Sequence, residues 1–192
     1  MKYDPNKHHR RSIRLPGYDY RQPGAYFVTI CAYQRQCMFG DVVDGRMVLN
    51  QYGMIVADTY QWLCDHYSYL HTDEWLVMPN HFHAIMVITD QSRTDNDKLR
   101  RGVSRNAPTT RNAITINKQR KPLGRLIGAF KTVSTKKINT LRDAPGTKLW
   151  QRNYYEHIIR NQDAMDKIRN YIVNNPVSWS IDQLHPDNPS KW

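Results

Sequence analysis

Two apolar runs, residues 74–78 (EWLVM) and residues 82–88 (FHAIMVI), stand within a few positions of each other and are separated by Pro79-Asn80. They are too short for helices, rich in β-branched and aromatic side chains, and bounded by a turn signal, so they read as two paired strands. A connection this tight joins antiparallel neighbours, because a parallel pair needs a long crossover. A second segment of the same kind, residues 25–32 (AYFVTICA), adds a buried strand, and Gly40 and Gly45 punctuate a hairpin that ends near Leu49.

Between and after these strands the apolar period changes. Asn50 is a good N-cap, and Met54, Ile55, Ala57, Trp62 and Leu63 carry an irregular helical stripe to about His66. From 121 to 141, Leu123, Leu126, Ile127, Phe130, Val133, Ile138 and Leu141 trace one helical face, with Arg125, Lys136 and Lys137 off it. Residues 148–159 alternate as a strand, and residues 163–174 form a last helix stopped by Pro176. The order strand, helix, strand, strand, helix, strand, helix predicts an α+β fold: a ferredoxin-like antiparallel sheet with helices packed on one face. The expected organisation is a basic arm (1–23), one domain (24–179) with a polar insertion at 89–119, and a tail (180–192).

The chemistry centres on His81-Phe82-His83. In a strand, residues two apart share a face, so His81 and His83 can reach one ion while Phe82 turns to the core. With 8 His in the chain, roughly 0.3 such triplets arise by chance, so context carries the reading. That context is Tyr171 and Asn175, four residues apart and therefore on one face of the last helix. Two imidazoles and a carboxamide oxygen suit Mg²⁺ or Mn²⁺ and leave positions open for phosphate oxygens.

Charge points to the partner. With 28 Lys and Arg against 17 Asp and Glu, the formal charge of +11 favours encounter with a polyanion. Arg10, Arg11, Arg14 and Arg21 of the arm, with Arg125, Lys131, Lys136 and Lys137 of the second long helix, are candidate DNA contacts, and Tyr18 and Tyr20 could stack on bases. Three cysteines without a CxxC pair fit a reducing cytosol, and no apolar run is long enough for a signal peptide or a bilayer span. The expectation is a cytoplasmic protein that does not engage membranes.

PNHFHAIM, a basic GAFKTVSTKKIN helix, LWQRNYYEHIIRN and NYIVNNP, in that order, resemble the HUH single-tyrosine transposases, most closely the REP-associated tyrosine transposases. The likeness runs from about residue 14 to 179. It implies that His81, His83 and Asn175 bind a divalent ion, at a position often occupied by Gln where this chain has the shorter Asn175. It also implies that Tyr171 attacks single-stranded DNA to give a 5′-phosphotyrosine, with a folded hairpin and an adjacent guide segment as substrate. Glu156 and His157, within a WEHxIRN-like segment, would support the ligands or touch substrate. Related enzymes act as monomers or as homodimers, and the sequence leaves that open. Two other classes stay in view: a noncatalytic DNA- or RNA-binding module of ferredoxin-like fold, and a metal hydrolase using water with His81, His83 and Glu156.

Overall fold

The computed structural model describes residues 15–90 and 120–188. Its sheet has four strands: β1 (Gly24–Cys31), β4 (Leu70–Met78), β5 (His81–Ile88) and β6 (Tyr155–Ile159). They lie in the order β4-β5-β1-β6, each antiparallel to its neighbours. A separate hairpin, β2 (Gly40–Val43) and β3 (Arg46–Leu49), turns at Asp44-Gly45. Both turn residues have positive φ (50° and 70°), the backbone that a tight two-residue hairpin requires.

Three helices complete the α+β domain: α1 (Gln51–His66), α2 (Leu123–Leu141) and α3 (Gln162–Asn174). Asn50 caps α1 as expected, its side-chain oxygen accepting from the Tyr52 and Gly53 amides. Asn161 caps α3 in the same way through the Ala164 amide. Helices α1 and α2 cover one face of the sheet, burying Val56, Tyr60, Leu63, Leu126, Ile127 and Phe130 against Tyr26, Val28, Phe82 and Met86.

Helix α3 departs from the expectation of helices on one face. It lies across the opposite side, where Ile172 packs with Phe27, Ile85 and Ile159. The cause is that β1 and β5 carry apolar side chains at successive positions, so both faces of the sheet need cover. Arg169 fastens α3 there by a forked contact, its Nε and one terminal nitrogen each 2.7 Å from a different oxygen of Asp73 on β4. That guanidinium also holds the Asp73 carboxyl below its usual range.

Two boundaries moved. β4 begins at Leu70 rather than 74, with a register irregularity between Thr72 and Trp75. The expected strand at 148–159 pairs only over Tyr155–Ile159; before it, a single bridge joins Trp150 to Ala32. Residues 151–153 are irregular because their carbonyls accept from the Lys131 ammonium instead of from a strand.

At the start of α1, a Cβ on Gly53 would lie 2.1 Å from the Phe39 carbonyl oxygen. Backbone faces backbone there, so no rotamer relieves the clash. Gly53→Ala is expected to destabilise the fold by about 3 kcal/mol, read as a lower denaturant midpoint at unchanged slope.

Candidate active site

His81 and His83 sit at the start of β5, on the face that α3 covers, at 0% and 1% exposure. Their Nε2 atoms are 3.0 Å apart. The other ring nitrogens are held from behind: His83 Nδ1 is 2.9 Å from Thr29 Oγ1, and His81 Nδ1 is 2.8 Å from Asn80 Oδ1. Asn80 donates through Nδ2 to the carbonyls of Arg35 (3.1 Å) and Leu184 (2.8 Å), which fixes its oxygen as the atom facing His81. His81 Nδ1 therefore carries the hydrogen, and Nε2 presents a lone pair. Burial pushes the His81 pKa down to about 3 and that of His83 well below its ordinary value, so both rings are neutral.

Helix α3 delivers the other two side chains. Asn175 follows its last turn with helical backbone (φ −58°, ψ −40°), which keeps it on the same face as Tyr171. The Tyr171 ring meets His83 edge-on at 5.2 Å between centroids and Phe27 at 6.0 Å. It is 42% exposed, so the phenol packs beside His83 and still opens to solvent. Burial pushes its pKa up to about 12; the Asp182 charge adds to this and a hydrogen bond from Asn175 opposes it. Asn175 is 2% exposed, and its amide stands beside the His81 ring. Its Nδ2 donates to Asp182 Oδ2 at 3.0 Å, while its Oδ1 is buried and accepts no hydrogen bond.

These donors fit a divalent cation. Two nitrogen ligands at about 2.1 Å and near a right angle stand roughly 3.0 Å apart, the separation found between the two Nε2 atoms. The orphaned Asn175 oxygen is a hard donor of the kind Mg²⁺ or Mn²⁺ takes. Among the described residues no group of three or more His, Cys, Asp or Glu side chains could hold a metal, so the amide oxygen would have to complete the set. A cavity of about 480 Å³ opens beside these residues, lined by Phe27, Thr29, Arg35, His83, Tyr155 and Tyr171 among others.

Several expected participants stand elsewhere. Glu156 pairs with Val28, on the α2 side of the sheet, and so faces away from the histidines. It cannot serve as their carboxylate partner, because the period of 2 sends it to the other face. His157 shares the histidines' face but pairs with Phe27 and opens on a different hollow, with Leu15, Tyr20 and Arg160. Tyr18 and Tyr20 are half-buried and packed edge-on at 4.9 Å, against Tyr26, which fixes the end of the arm in place of a free stacking platform. Residues 15–22 are turned, with Tyr18 bonded back to Leu15 and Gln22 to Asp19.

Among the basic candidates, Arg21 and Arg125 are exposed and line one hollow with Tyr18 and Tyr20. Lys136 and Lys137 are exposed on α2. Lys131 is not a surface cation: its ammonium sits on the carbonyls of Gln151 (2.8 Å), Arg152 (3.4 Å) and Asn153 (2.9 Å), and burial pushes its pKa down to about 8. Arg10, Arg11 and Arg14 lie outside the described residues, as do 91–119 of the polar insertion and 189–192 of the tail.

The reading from sequence missed Asn80, Thr29 and Asp182. Asn80 carries a signal, since it directly precedes His81, but Pro79-Asn80 reads first as a turn. Thr29 and Asp182 had none, because each reaches the site through strand register or chain return. The described part of the tail folds back on the site: the Trp179 ring lies tilted beside His81 at 5.9 Å between centroids, and Asp182 and Leu184 are buried.

The architecture is an α+β domain with a four-stranded antiparallel sheet and three helices. It is similar to the structure of a REP-associated tyrosine transposase bound to a REP hairpin, with a TM-score of 0.56 at 15% identity, covering 91% of this chain and 77% of that one. No model of a known protein family matches the chain. In sequence it is 36% identical over 189 residues to an uncharacterised protein of Haemophilus influenzae, covering 97% of this chain and 98% of that protein. The chain belongs to the same family as that Haemophilus protein. No helix of the described residues is long and apolar enough to cross a membrane.

Proposed function

We propose that this chain is a metal-dependent single-stranded DNA endonuclease and strand transferase that cuts beside hairpin or repeat DNA through a 5′-phosphotyrosine. The observation that carries the reading is the meeting of four side chains of one chain: the Tyr171 ring against His83, the two imidazoles 3.0 Å apart, and the Asn175 amide beside His81. The hairpin bound by the transposase of similar fold supports the substrate class.

His81, His83 and Asn175 would hold Mg²⁺ or Mn²⁺, which when bound polarises the nonbridging oxygens of a scissile phosphate. Tyr171 Oη attacks phosphorus in line; the new phosphotyrosine bond forms as the bond to the 3′-oxygen breaks. The phenolic proton passes to solvent water on the open side of Tyr171, and the departing 3′-oxygen takes a proton from water. One phosphodiester replaces another, so attack by a 3′-hydroxyl on the phosphotyrosine joins strands without ATP. Tyr171 is a protonated phenol at neutral pH, and positive charge at the neighbouring imidazole nitrogens would lower its pKa. Because α3 lies on its own sheet, joined to β6 through Arg160 and Asn161 only, one copy holds every participant and two cuts would be made in turn.

The test is a hairpin oligonucleotide with a single-stranded flank, labelled at its 3′ end and incubated with Mn²⁺. A denaturant-resistant protein adduct carrying the label is expected. Cutting without adduct would favour water as nucleophile, and tight binding without cutting would favour a noncatalytic module.

Two lysines separate structural from electrostatic roles. Lys136→Ala is expected to lower the slope of log K against log salt for hairpin binding by about 0.7–0.9. Lys131→Met should leave that slope unchanged and cost about 1 kcal/mol of stability, since it removes three hydrogen bonds to carbonyls around a half-buried position.

A further inference from the structure

The Asn175 amide has two faces of opposite polarity, and only its oxygen can serve a cation. A half-turn about the last side-chain bond would present N–H to the imidazoles and repel the ion. Something must choose between the two, because a carboxamide by itself does not. A hydrogen bond that distinguishes its ends runs from Nδ2 to Asp182 Oδ2, at 3.0 Å. A carboxylate accepts and cannot donate, so it captures the nitrogen and leaves Oδ1 pointing the other way.

The carboxylate is itself held. Asp182 is 9% exposed, and its Oδ1 accepts from the Leu184 amide at 2.6 Å. Leu184 in turn gives its carbonyl to Asn80 Nδ2, the same amide whose oxygen sets the His81 ring. One short return of the chain after α3 therefore touches the supports of two of the three donors. Asp182 does not join the histidines as a ligand, since no His, Cys, Asp or Glu group of three forms among the described residues.

We infer that Asp182 is a positioning residue that fixes the rotation of the Asn175 amide so that its oxygen, and not its nitrogen, faces His81 and His83. The inference rests on the proposed reading of those three side chains as metal donors. It assigns a role to the segment after the tyrosine helix, which supplies no ligand of its own.

The test uses Mn²⁺ alone and the full chain, with affinity read by calorimetry and by the electron paramagnetic signal of free Mn²⁺. In Asp182→Asn the facing amides can pair in either sense, so Mn²⁺ affinity is expected to fall by about tenfold or more, with the metal-free melting temperature close to that of the unchanged protein. The double variant Asn175→Asp/Asp182→Asn exchanges acceptor and donor: the carboxamide at 182 now donates to a carboxylate at 175 whose other oxygen faces the imidazoles. Its Mn²⁺ affinity is expected to return at least to the starting level. Affinity unchanged in Asp182→Asn, or a double variant as weak as the single one, overturns the inference. Should Asp182→Asn fail to fold, the double variant decides alone by the same criterion. An unchanged chain that binds no Mn²⁺ removes the metal reading together with this one, which separates that failure from a failure of Asp182 only.

Discussion

Tyr171→Phe is expected to erase the covalent protein–DNA adduct, lowering cleavage of a labelled hairpin by at least about 10³-fold, while Mn²⁺ and hairpin binding stay within a few fold. The substitution removes one oxygen atom and keeps the ring that packs edge-on against His83 and Phe27. Stability should barely move, since the residue is 42% exposed and its apolar contacts remain. Tyr155 is the rival nucleophile, because it lines the same cavity and lies in one row with Thr29 and His83. Yet β1 separates β6 from β5, which puts two strand spacings, roughly 10 Å, between the Tyr155 and His83 backbones. An adduct that survives Tyr171→Phe and disappears in Tyr155→Phe would transfer the role and overturn the assignment.

His81→Ala should abolish the adduct by a different route. Its Nε2 stands 3.0 Å from that of His83, and losing it leaves His83 and one amide oxygen, too few donors for a tight divalent site. Mn²⁺ affinity is expected to drop by at least about 100-fold, with hairpin binding retained, because the ring is fully buried and offers no surface to a phosphate backbone. The substitution also strands Asn80 Oδ1, so a modest loss of stability accompanies it. Calorimetry with Mn²⁺ and a gel-shift with the hairpin, run on the same preparation, separate the outcomes. A parallel collapse of hairpin binding would mean that the histidine holds the fold or touches DNA.

Much of this was legible along the chain. The strand pair around Pro79-Asn80, the Asn50 cap, the apolar stripe of α2 and the end of α3 before Pro176 all use signals a few residues long. The same holds for the shared face of His81 and His83, which follows from a period of 2, and for that of Tyr171 and Asn175, which follows from 3.6. The misreadings share another cause. Glu156 sits beside His157 in a segment that matched a family pattern, but whether it faces the histidines depends on how β6 registers against β1. Lys131 looks like any basic residue on an amphipathic helix until the 151–153 loop closes over it. Tyr18 and Tyr20 pack against Tyr26, a contact that no local pattern announces.

Local periodicity and capping thus determined the elements and the pairs of side chains that each element presents together. Tertiary structure alone decided that β5 and α3 face each other, that α3 takes the side of the sheet opposite α1 and α2, and that Asp182 returns to meet the Asn175 amide. The reason is physical: periods of 2 and 3.6 are set by backbone geometry within a segment, whereas register and helix placement are set by burial among residues distant in the chain.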